Sequence, residues 1–452
     1  MINRVQKSLT ILLMLLAFSM DVFGQASLCR QTESKQLCDE IGQMLITGFG
    51  GFKQDANGKV LWDDKDGTQF NKDSVIAQNI AANHVGGVIL FMQPFRDVKT
   101  GVFVHDRNIQ NPVQVTKLNQ DLQGYNNKVR QIQGLEMLPL FIGVDQEGGR
   151  IDRLPALQGF PVKTLVPQAL GANEEKFMPP SWVSNRLLAS WYKFFSPCAA
   201  KRETAINTTY KYASNLAQEI SALNFNLNFS PVVDVNINPI NPIIGGLGRS
   251  FSSNPEVVVD QAKQFVKAFG ENKIISVLKH FPGHGSSSGD THLGLVDVTG
   301  TYQIKEELQP YFRLIAEGYD GMIMTTHAVN GQIDQTQCKA GLKGDHSTWC
   351  SGTISEKTLT GLLRNQMGFK GLIVSDDMTM GAITREYVLS ESLKNAINAG
   401  VDILIVANNY EDQTDVIINT IVQLVRNGDI KREKIDAAYN RIVDFKKKHL
   451  LR

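Results

Sequence analysis

Short apolar runs bounded by turn residues recur along the chain, and most are preceded by a stretch with helical spacing. Eight runs have the length of a buried strand, at residues 44–47, 85–91, 139–144, 227–235, 275–278, 321–325, 372–375 and 402–407. Helices are predicted at residues 113–132, 212–223, 255–269, 306–316, 356–367, 387–398 and 431–447. Strands that alternate with helices pair in parallel through crossover connections.

Eight such units predict the α/β fold class, as a closed (β/α)8 TIM barrel that forms a single domain. An open doubly wound sheet is the alternative, but the Gly-x-Gly-x-x-Gly turn that usually follows its first strand is missing. Three segments exceed the minimal repeat, near residues 50–73, 171–211 and 329–351, and we expect them to be insertions over the barrel faces. The second is rich in aromatic residues, which either wall a binding site or pack on the barrel.

The first residues have the order of a secretory signal. Arg4 and Lys7 precede an apolar run at residues 9–18, and Gly24 offers signal peptidase a small residue. Residues 1–24 are therefore predicted to be a signal peptide and 25–452 the mature domain, in the periplasm or secreted. The run is too short for a comfortable membrane span, so no stable anchor is expected after cleavage.

Composition and cysteines fit an exported globular protein. The 452 residues carry 46 Lys+Arg against 45 Asp+Glu, which disfavours disorder and nucleic-acid binding. In an oxidising compartment, Cys29 with Cys38 and Cys338 with Cys350 would close two short disulfide loops and leave Cys198 unpaired. Sequence alone does not fix this connectivity, and reduced cysteines in the core are the alternative.

Polar residues crowd the ends of the predicted strands, where barrels of this kind place their chemistry. They are Asp145, Glu147, Arg150 and Arg153 after the third strand, Asp234 and Arg249 after the fourth, Lys279, His280, His284, Asp290 and His292 after the fifth, His327 after the sixth, and Asp376 and Asp377 after the seventh. A salt bridge that closes the barrel, such as Asp145 with Arg150 or Arg153, would explain one such residue. So many charged strand ends indicate function instead, because burying charge without a partner is costly.

His280 and His284 have the i, i+4 spacing of a zinc-binding helix. Pro282 and Gly283 lie between them and break the helix that such a site needs, so no metal ion and no cofactor are predicted. The preferred interpretation is a rigid loop in which Lys279 and His280 donate hydrogen bonds to a neutral polyhydroxyl ligand.

Four motifs occur in order along the barrel pattern. They are Asp145-Gln146-Glu147-Gly148-Gly149-Arg150, Gly248-Arg249-Ser250-Phe251, Lys279 to Gly285 with Asp290-Thr291-His292, and Ser375-Asp376-Asp377-Met378. Together they resemble the family 3 glycoside hydrolases, and among these the bacterial β-N-acetylglucosaminidase (β-N-acetylhexosaminidase) branch. The resemblance covers essentially the whole mature chain apart from the three insertions.

The resemblance implies a retaining, exo-acting hydrolase that removes terminal β-linked N-acetylglucosamine through a covalent glycosyl-enzyme. Asp376 takes the place of the nucleophile, and Asp377 is then structural. His292 takes the place of the acid/base, with Asp290 as the carboxylate that orients it. An imidazole suits both half-reactions because histidine ordinarily titrates near neutrality. The Ser- and Gly-rich sequence at residues 285–289 is expected to make the His292 loop mobile.

The resemblance also implies positions that bind the non-reducing N-acetylglucosamine, namely Asp145, Arg153, Arg249, Lys279 and His280. Glu147, Arg150 and His284 are expected to brace the site, and the roles of Asp234 and His327 stay open. The expected partner is a glycan with terminal N-acetylglucosamine, with peptidoglycan fragments first and chitooligosaccharides or glycoconjugates behind them. The sequence does not reveal the oligomeric state.

Three other functions are a β-glucosidase, a phosphorylase and a sugar-binding protein. The chain ends at Arg452, soon after the last predicted helix, which leaves no room for the second domain from which β-glucosidase relatives supply a Glu acid/base, so a glucosidase is disfavoured. A phosphorylase stays open, since a histidine repels phosphate less than a glutamate would. A secreted sugar-binding protein without catalysis is the other alternative.

Overall fold

The computed structural model describes residues 35–50, 52–54, 60–62, 67, 69–92, 95–96, 103–104, 107–178, 197–340, 346–409 and 412–451. The predicted signal peptide and Cys29 lie outside these residues, as does part of each predicted insertion. Within the described part of the chain, no helix is long and apolar enough to cross a membrane.

Eight parallel strands close into a barrel, as predicted. They are β1 (Leu45–Thr47), β2 (Gly87–Leu90), β3 (Phe141–Val144), β4 (Leu227–Asn228), β5 (Ile275–Phe281), β6 (Met322–Thr325), β7 (Leu372–Asp377) and β8 (Ile403–Val406). Each strand pairs with its neighbours in the chain order, and β1 pairs with both β2 and β8 to close the ring. The closed ring excludes the open doubly wound sheet.

Helices surround the barrel. They are α1 (Lys35–Gln43), α2 (Val75–Ala82), α3 (Pro112–Gln133), α4 (Pro167–Glu175), α5 (Pro197–Ala222), α6 (Pro255–Glu271), α7 (Ile304–Ala316), α8 (Gly381–Thr384), α9 (Leu389–Ala399), α10 (Thr414–Arg426) and α11 (Arg432–His449), with a π-type helix at Lys357–Gln366 between α7 and α8. The predicted helices are all found, whereas α1, α2, α4, α8 and α10 were not predicted.

The helix predicted at residues 212–223 begins earlier than the sequence indicated. It starts at Pro197, so residues 197–211, which we had assigned to the second insertion, belong to α5. After Pro197 this stretch contains no further proline and no glycine, so nothing in it stops a helix. The apolar spacing is weak there, which is why the pattern alone did not reveal it.

Apolar side chains fill the barrel and the layer between strands and helices. Gly143 on β3 leaves space for the ring of Phe229, since a Cβ at this glycine would lie 2.7 Å from the ring. At the N-terminal end of the barrel, the buried Lys446 of α11 donates to Gln43 Oε1 and to the Gly86 carbonyl, both at 2.8 Å. The polar residues that end or follow the strands lie at the opposite, C-terminal end of the barrel.

The first and third insertions each contain an antiparallel hairpin. The strand Phe52–Gln54 pairs with Val60–Trp62, and Gln337–Ala340 pairs with His346–Trp349. A disulfide joins Cys338 to Cys350, as predicted. Cys38 is also disulfide-bonded.

Candidate active site

The predicted site residues follow or end five neighbouring strands at the C-terminal end of the barrel. They are Asp145 after β3, Asp234 after β4, Lys279 and His280 in β5, His327 after β6, and Asp376 in β7. Because parallel strands end on the same side of a barrel, one face of the molecule collects all of these side chains.

Asp145, Glu147, Arg249 and Lys279 form a continuous set of ion pairs. The Lys279 ammonium lies 2.8 Å from Asp145 Oδ1 and 2.7 Å from Glu147 Oε1. Arg249 donates to both oxygens of Glu147, with Nε to Oε2 at 2.7 Å and Nη2 to Oε1 at 2.8 Å. Asp145 therefore pairs with Lys279, not with Arg150 or Arg153. The expectation that Glu147 braces the site fits these contacts.

These ion pairs keep Glu147, Arg249 and Lys279 charged although all three are buried. Burial acts to raise the pKa of Glu147, but Arg249 and Lys279 bring that pKa well below its ordinary value. Burial acts in the opposite direction on the two cations, and Glu147 and Asp145 raise the pKa of both Arg249 and Lys279. The cluster therefore presents fixed charges to a ligand.

His280 and His284 both contact the carboxylate of Asp234, His284 through its amide. His280 Nδ1 lies 2.7 Å from Asp234 Oδ2, and Asp234 Oδ1 accepts from the amides of His280 and His284 at 3.2 and 2.8 Å. Burial lowers the pKa of His284 to about 4, so this ring is neutral near pH 7. Among the described residues, no group of three or more His, Cys, Asp and Glu side chains is arranged to hold a metal ion. The Lys279–His280 peptide bond is cis.

Asp376 and Asp377 differ sharply in their surroundings. Asp377 accepts from the Thr379 amide at 3.0 Å, the Thr379 hydroxyl at 2.7 Å and the Ala407 amide at 2.9 Å, so it ties the end of β7 to that of β8. These contacts fit the structural role expected for Asp377. Asp376 Oδ1 accepts from the Asp377 amide at 2.8 Å.

The electrostatic surroundings of Asp376 favour its ionised form. Burial acts to raise the pKa of Asp376, but His327, His280, His292 and the Asp377 amide together lower it below its ordinary value. Asp376 is thus a carboxylate near neutral pH, and it lies within electrostatic reach of three of the histidines that the sequence singled out.

His327, whose role the sequence left open, supports the backbone beside Asp376. Its ring is fully buried, with Nε2 3.0 Å from the Asp377 carbonyl and Nδ1 2.8 Å from Thr353 Oγ1. A carbonyl only accepts, so in the neutral ring Nε2 carries the proton. Burial lowers the pKa of His327, which fits this neutral form.

Asp290 and His292 form a hydrogen-bonded pair. Asp290 Oδ1 lies 2.7 Å from His292 Nδ1 and accepts from the His292 amide at 2.8 Å. The His292 side chain is 61% exposed and that of Asp290 25%. Because Nδ1 faces the carboxylate, Nε2 is the atom that can exchange a proton with a bound ligand.

Arg153 has unused hydrogen-bonding capacity at this face. Its amide donates to Gln146 Oε1 at 2.7 Å, whereas its buried Nε has no hydrogen-bond partner among the described residues. Arg150 is exposed. A buried guanidinium nitrogen without a partner is costly, which favours a ligand at this position.

Two further residues support the site and were missed by the sequence analysis. Glu307, in the first turn of α7, accepts from the amides of Gly285 and Ser286 at 3.1 and 3.3 Å, beneath the start of the His292 loop. Arg107 donates to the Phe49 carbonyl at 2.8 Å and to Asn409 Oδ1 at 2.9 Å, so it joins the segments after β1 and β8. Both act on backbone that is distant in sequence, and no local pattern marks them.

A parallel barrel whose C-terminal end carries an ionised carboxylate, a carboxylate–imidazole pair and a set of buried ion pairs has the parts of a glycoside hydrolase active site. The family model described as the glycosyl hydrolase family 3 N terminal domain matches residues 36–445. The chain therefore belongs to glycoside hydrolase family 3.

Curated relatives agree with this family. Beta-hexosaminidase A of Pseudoalteromonas piscicida is 30% identical over 380 residues, a match that covers 82% of this chain and 55% of the relative. A beta-hexosaminidase of Nitrosomonas eutropha is 28% identical over 339 residues, covering 75% of this chain and 77% of the relative. The chain thus spans about half the length of the first relative and about three quarters of the second.

Solved structures share the fold. The family 3 beta-N-acetylglucosaminidase from Paenibacillus sp. str. FPU-7 superposes with a TM-score of 0.67 at 27% identity, covering 91% of this chain and 62% of the other. A beta-N-acetylhexosaminidase from Beutenbergia cavernae superposes with a TM-score of 0.65 at 22% identity, covering 91% and 98%. At this lower identity, the similarity to the Beutenbergia structure supports the shared fold only.

Proposed function

We propose that this protein is a retaining, exo-acting β-N-acetylhexosaminidase that releases terminal β-linked N-acetylglucosamine. The observation that carries the proposal is the pairing of Asp290 with His292 within electrostatic reach of the ionised Asp376. The names of the curated relatives and of the Paenibacillus structure support the same sugar class.

In the first step, Asp376 attacks the anomeric carbon and the bond from that carbon to the leaving oxygen breaks. His292 Nε2 gives its proton to the leaving oxygen, and the Asp290 carboxylate stabilises the imidazolium form before this transfer. In the second step, neutral His292 takes a proton from water, the water oxygen attacks the same carbon and Asp376 departs. Two inversions give net retention.

The proposed sugar subsite uses the hydrogen-bonding atoms that the ion pairs leave free. Asp145 is bound to Lys279 through Oδ1, so Oδ2 is available to accept from a sugar hydroxyl. Arg153 Nε is buried without a partner among the described residues and is available to donate. Lys279, Arg249 and His280 contribute remaining donors while holding Glu147 and Asp234. We therefore assign all five expected binding residues to this proposed subsite.

The test compares cleavage of the p-nitrophenyl β-N-acetylglucosaminide and the β-glucoside. We expect cleavage of the acetamido sugar only, a fall in kcat of at least about 10³-fold for Asp376→Ala, and slowing of both steps for His292→Ala. Asp121→Ala, at an acid that pairs with Lys117 on the surface of α3, is the matched control and should keep full activity. An Asp376→Ala enzyme with full activity would end the proposal.

Product analysis separates the remaining alternatives. Proton NMR of the first product should show the β-anomer, as retention requires. In phosphate buffer the product should be free N-acetylglucosamine; a sugar 1-phosphate would identify a phosphorylase. Tight sugar binding by a wild-type protein that cleaves no glycoside would identify a binding protein.

We also propose export and a peptidoglycan-derived substrate. The signal-like order of residues 1–24 supports export. Fractionation and N-terminal sequencing should find the mature chain outside the cytoplasm, beginning after Gly24; an intact Met1 in the cytoplasm would contradict this. A higher kcat/KM for muropeptides than for chitooligosaccharides would support the substrate, and the reverse order would exclude it.

A further inference from the structure

The loop that carries Asp290 and His292 is held by the segment that directly follows the Asp376 strand. The Ala382 amide donates to the Thr291 carbonyl at 3.0 Å, and the Gly381 amide donates to the His292 carbonyl at 3.2 Å. Both amides belong to the first turn of α8, which begins at Gly381. The contacts therefore join the two halves of the candidate catalytic machinery through backbone alone.

A side chain extends this contact by one residue. Arg385 Nη1 donates to the Leu293 carbonyl at 2.9 Å, so three consecutive carbonyls of the loop, at residues 291–293, are bound by residues 381, 382 and 385. Arg385 itself is exposed. An exposed arginine that binds a neutral carbonyl stabilises the fold little, which leaves positioning of the loop as its main effect.

Gly381 sets how closely the two segments approach. A Cβ at this position would lie 2.6 Å from the His292 carbonyl oxygen and 3.0 Å from the Leu293 carbonyl carbon. Any larger residue therefore has to push the loop away from α8.

The two ends of the loop are anchored independently of α8. At its start, Glu307 accepts from the amides of Gly285 and Ser286. At its end, the Val329 amide donates to the Val296 carbonyl at 2.8 Å. The part between them carries the Asp290–His292 pair, of which His292 is the exposed member. Asn238 Nδ2 donates to the Ser287 carbonyl of this part at 2.9 Å, and α8 holds residues 291–293.

We propose that Gly381, Ala382 and Arg385 form a latch that fixes the His292 loop relative to the nucleophile strand, with Arg385 as a positioning residue for His292. Its catalytic consequence rests on the proposed hydrolase function. Proton transfer requires His292 Nε2 within hydrogen-bond reach of the leaving oxygen while Asp376 attacks from the same strand end. Because α8 starts five residues after Asp376, the latch ties both groups to one rigid element.

The first experiment measures the latch without relying on activity. Hydrogen exchange by mass spectrometry should show faster exchange of the Gly381 and Ala382 amides in Arg385→Ala and in Gly381→Ala than in wild type. Arg385→Lys keeps one donor and should lie between wild type and Arg385→Ala. Arg313→Ala, at an exposed arginine of α7, is the matched control and should leave this exchange unchanged. Equal exchange in wild type, Arg385→Ala and Gly381→Ala would overturn the latch.

The second experiment measures its effect on proton transfer. A 2,4-dinitrophenyl leaving group needs little protonation, whereas a phenyl leaving group needs a general acid. For Arg385→Ala, kcat/KM should therefore fall about tenfold more on the phenyl than on the dinitrophenyl N-acetylglucosaminide. Equal losses on the two substrates, or no loss, would overturn the positioning role. If wild type cleaves neither substrate while the exchange differences appear, the proposed function fails and the latch stands.

Discussion

At the scale of single residues, the buried charges of the candidate active site compensate one another. Glu147 and Asp145 balance Arg249 and Lys279, and the Lys279 side chain is only 3% exposed. Each buried ion is tolerated because its partners lie within hydrogen-bond distance, and removing one partner leaves an uncompensated charge. The cluster is therefore expected to contribute to the stability of the fold, whatever it binds.

Glu147→Gln should destabilise the protein by about 3–5 kcal/mol. The variant lacks the negative charge that compensates the buried cations Arg249 and Lys279. Denaturant unfolding of the variant and wild type measures the difference in free energy. Glu136→Gln removes a carboxylate that pairs with Lys447 at the surface and should cost less than about 1 kcal/mol. Equal losses in the two variants would refute the charge-compensation argument.

At the scale of elements, the barrel strands were easier to predict than the pieces attached to them. Each strand is a short apolar run between turn residues, and this signal is local. Of the five helices that were not predicted, α1 and α10 have a clear apolar stripe that the analysis of the sequence passed over, and α8 has only four residues. The start of α5 at Pro197 and the helices α2 and α4 lack such a clear stripe. Packing against neighbouring elements stabilises them, and packing is not a local property.

A disulfide closes the hairpin of the third insertion. Cys338 and Cys350 are 12 residues apart, and closing a loop of this length is expected to stabilise the folded state by about 3 kcal/mol through the entropy of the unfolded chain. The Cys338→Ser, Cys350→Ser double variant should lose about that much in urea unfolding.

Two controls accompany the disulfide variant. Wild type and the variant are unfolded again with reductant, which should bring wild type close to the variant. Identical unfolding curves for the two proteins without reductant would show that the hairpin does not contribute to the cooperative unit.

At the scale of the whole molecule, three buried glutamates influence how stability depends on pH. Burial raises the pKa of Glu174, Glu219 and Glu307 to about 7 in each case. A carboxyl group with a raised pKa binds more protons in the folded than in the unfolded state. Its contribution to stability is complete below the ordinary pKa of about 4.5 and is lost as pH rises through about 7.

Glu307→Gln isolates one of these groups. Relative to this variant, wild type should lose up to about 3 kcal/mol of unfolding free energy between pH 4.5 and pH 7.5, since only wild type has to ionise the buried carboxyl. Urea unfolding across this range measures the difference. Glu306→Gln, at the partly exposed neighbouring residue, is the control and should follow wild type. A difference that grows in the opposite direction with pH would contradict the raised pKa of Glu307.

The sequence by itself determined the barrel and the strand ends that carry the polar residues, and it suggested the Cys338–Cys350 pair that the structure contains. These depend on apolar runs, turn residues and short spacings, which are local quantities. The tertiary structure alone decided which charges pair and how the His292 loop is held. Lys279 meets Asp145 across 134 positions, and Arg385 meets the Leu293 carbonyl across 92. Such contacts are set by where the folded strands and helices bring distant residues together, and no periodicity along the chain encodes them.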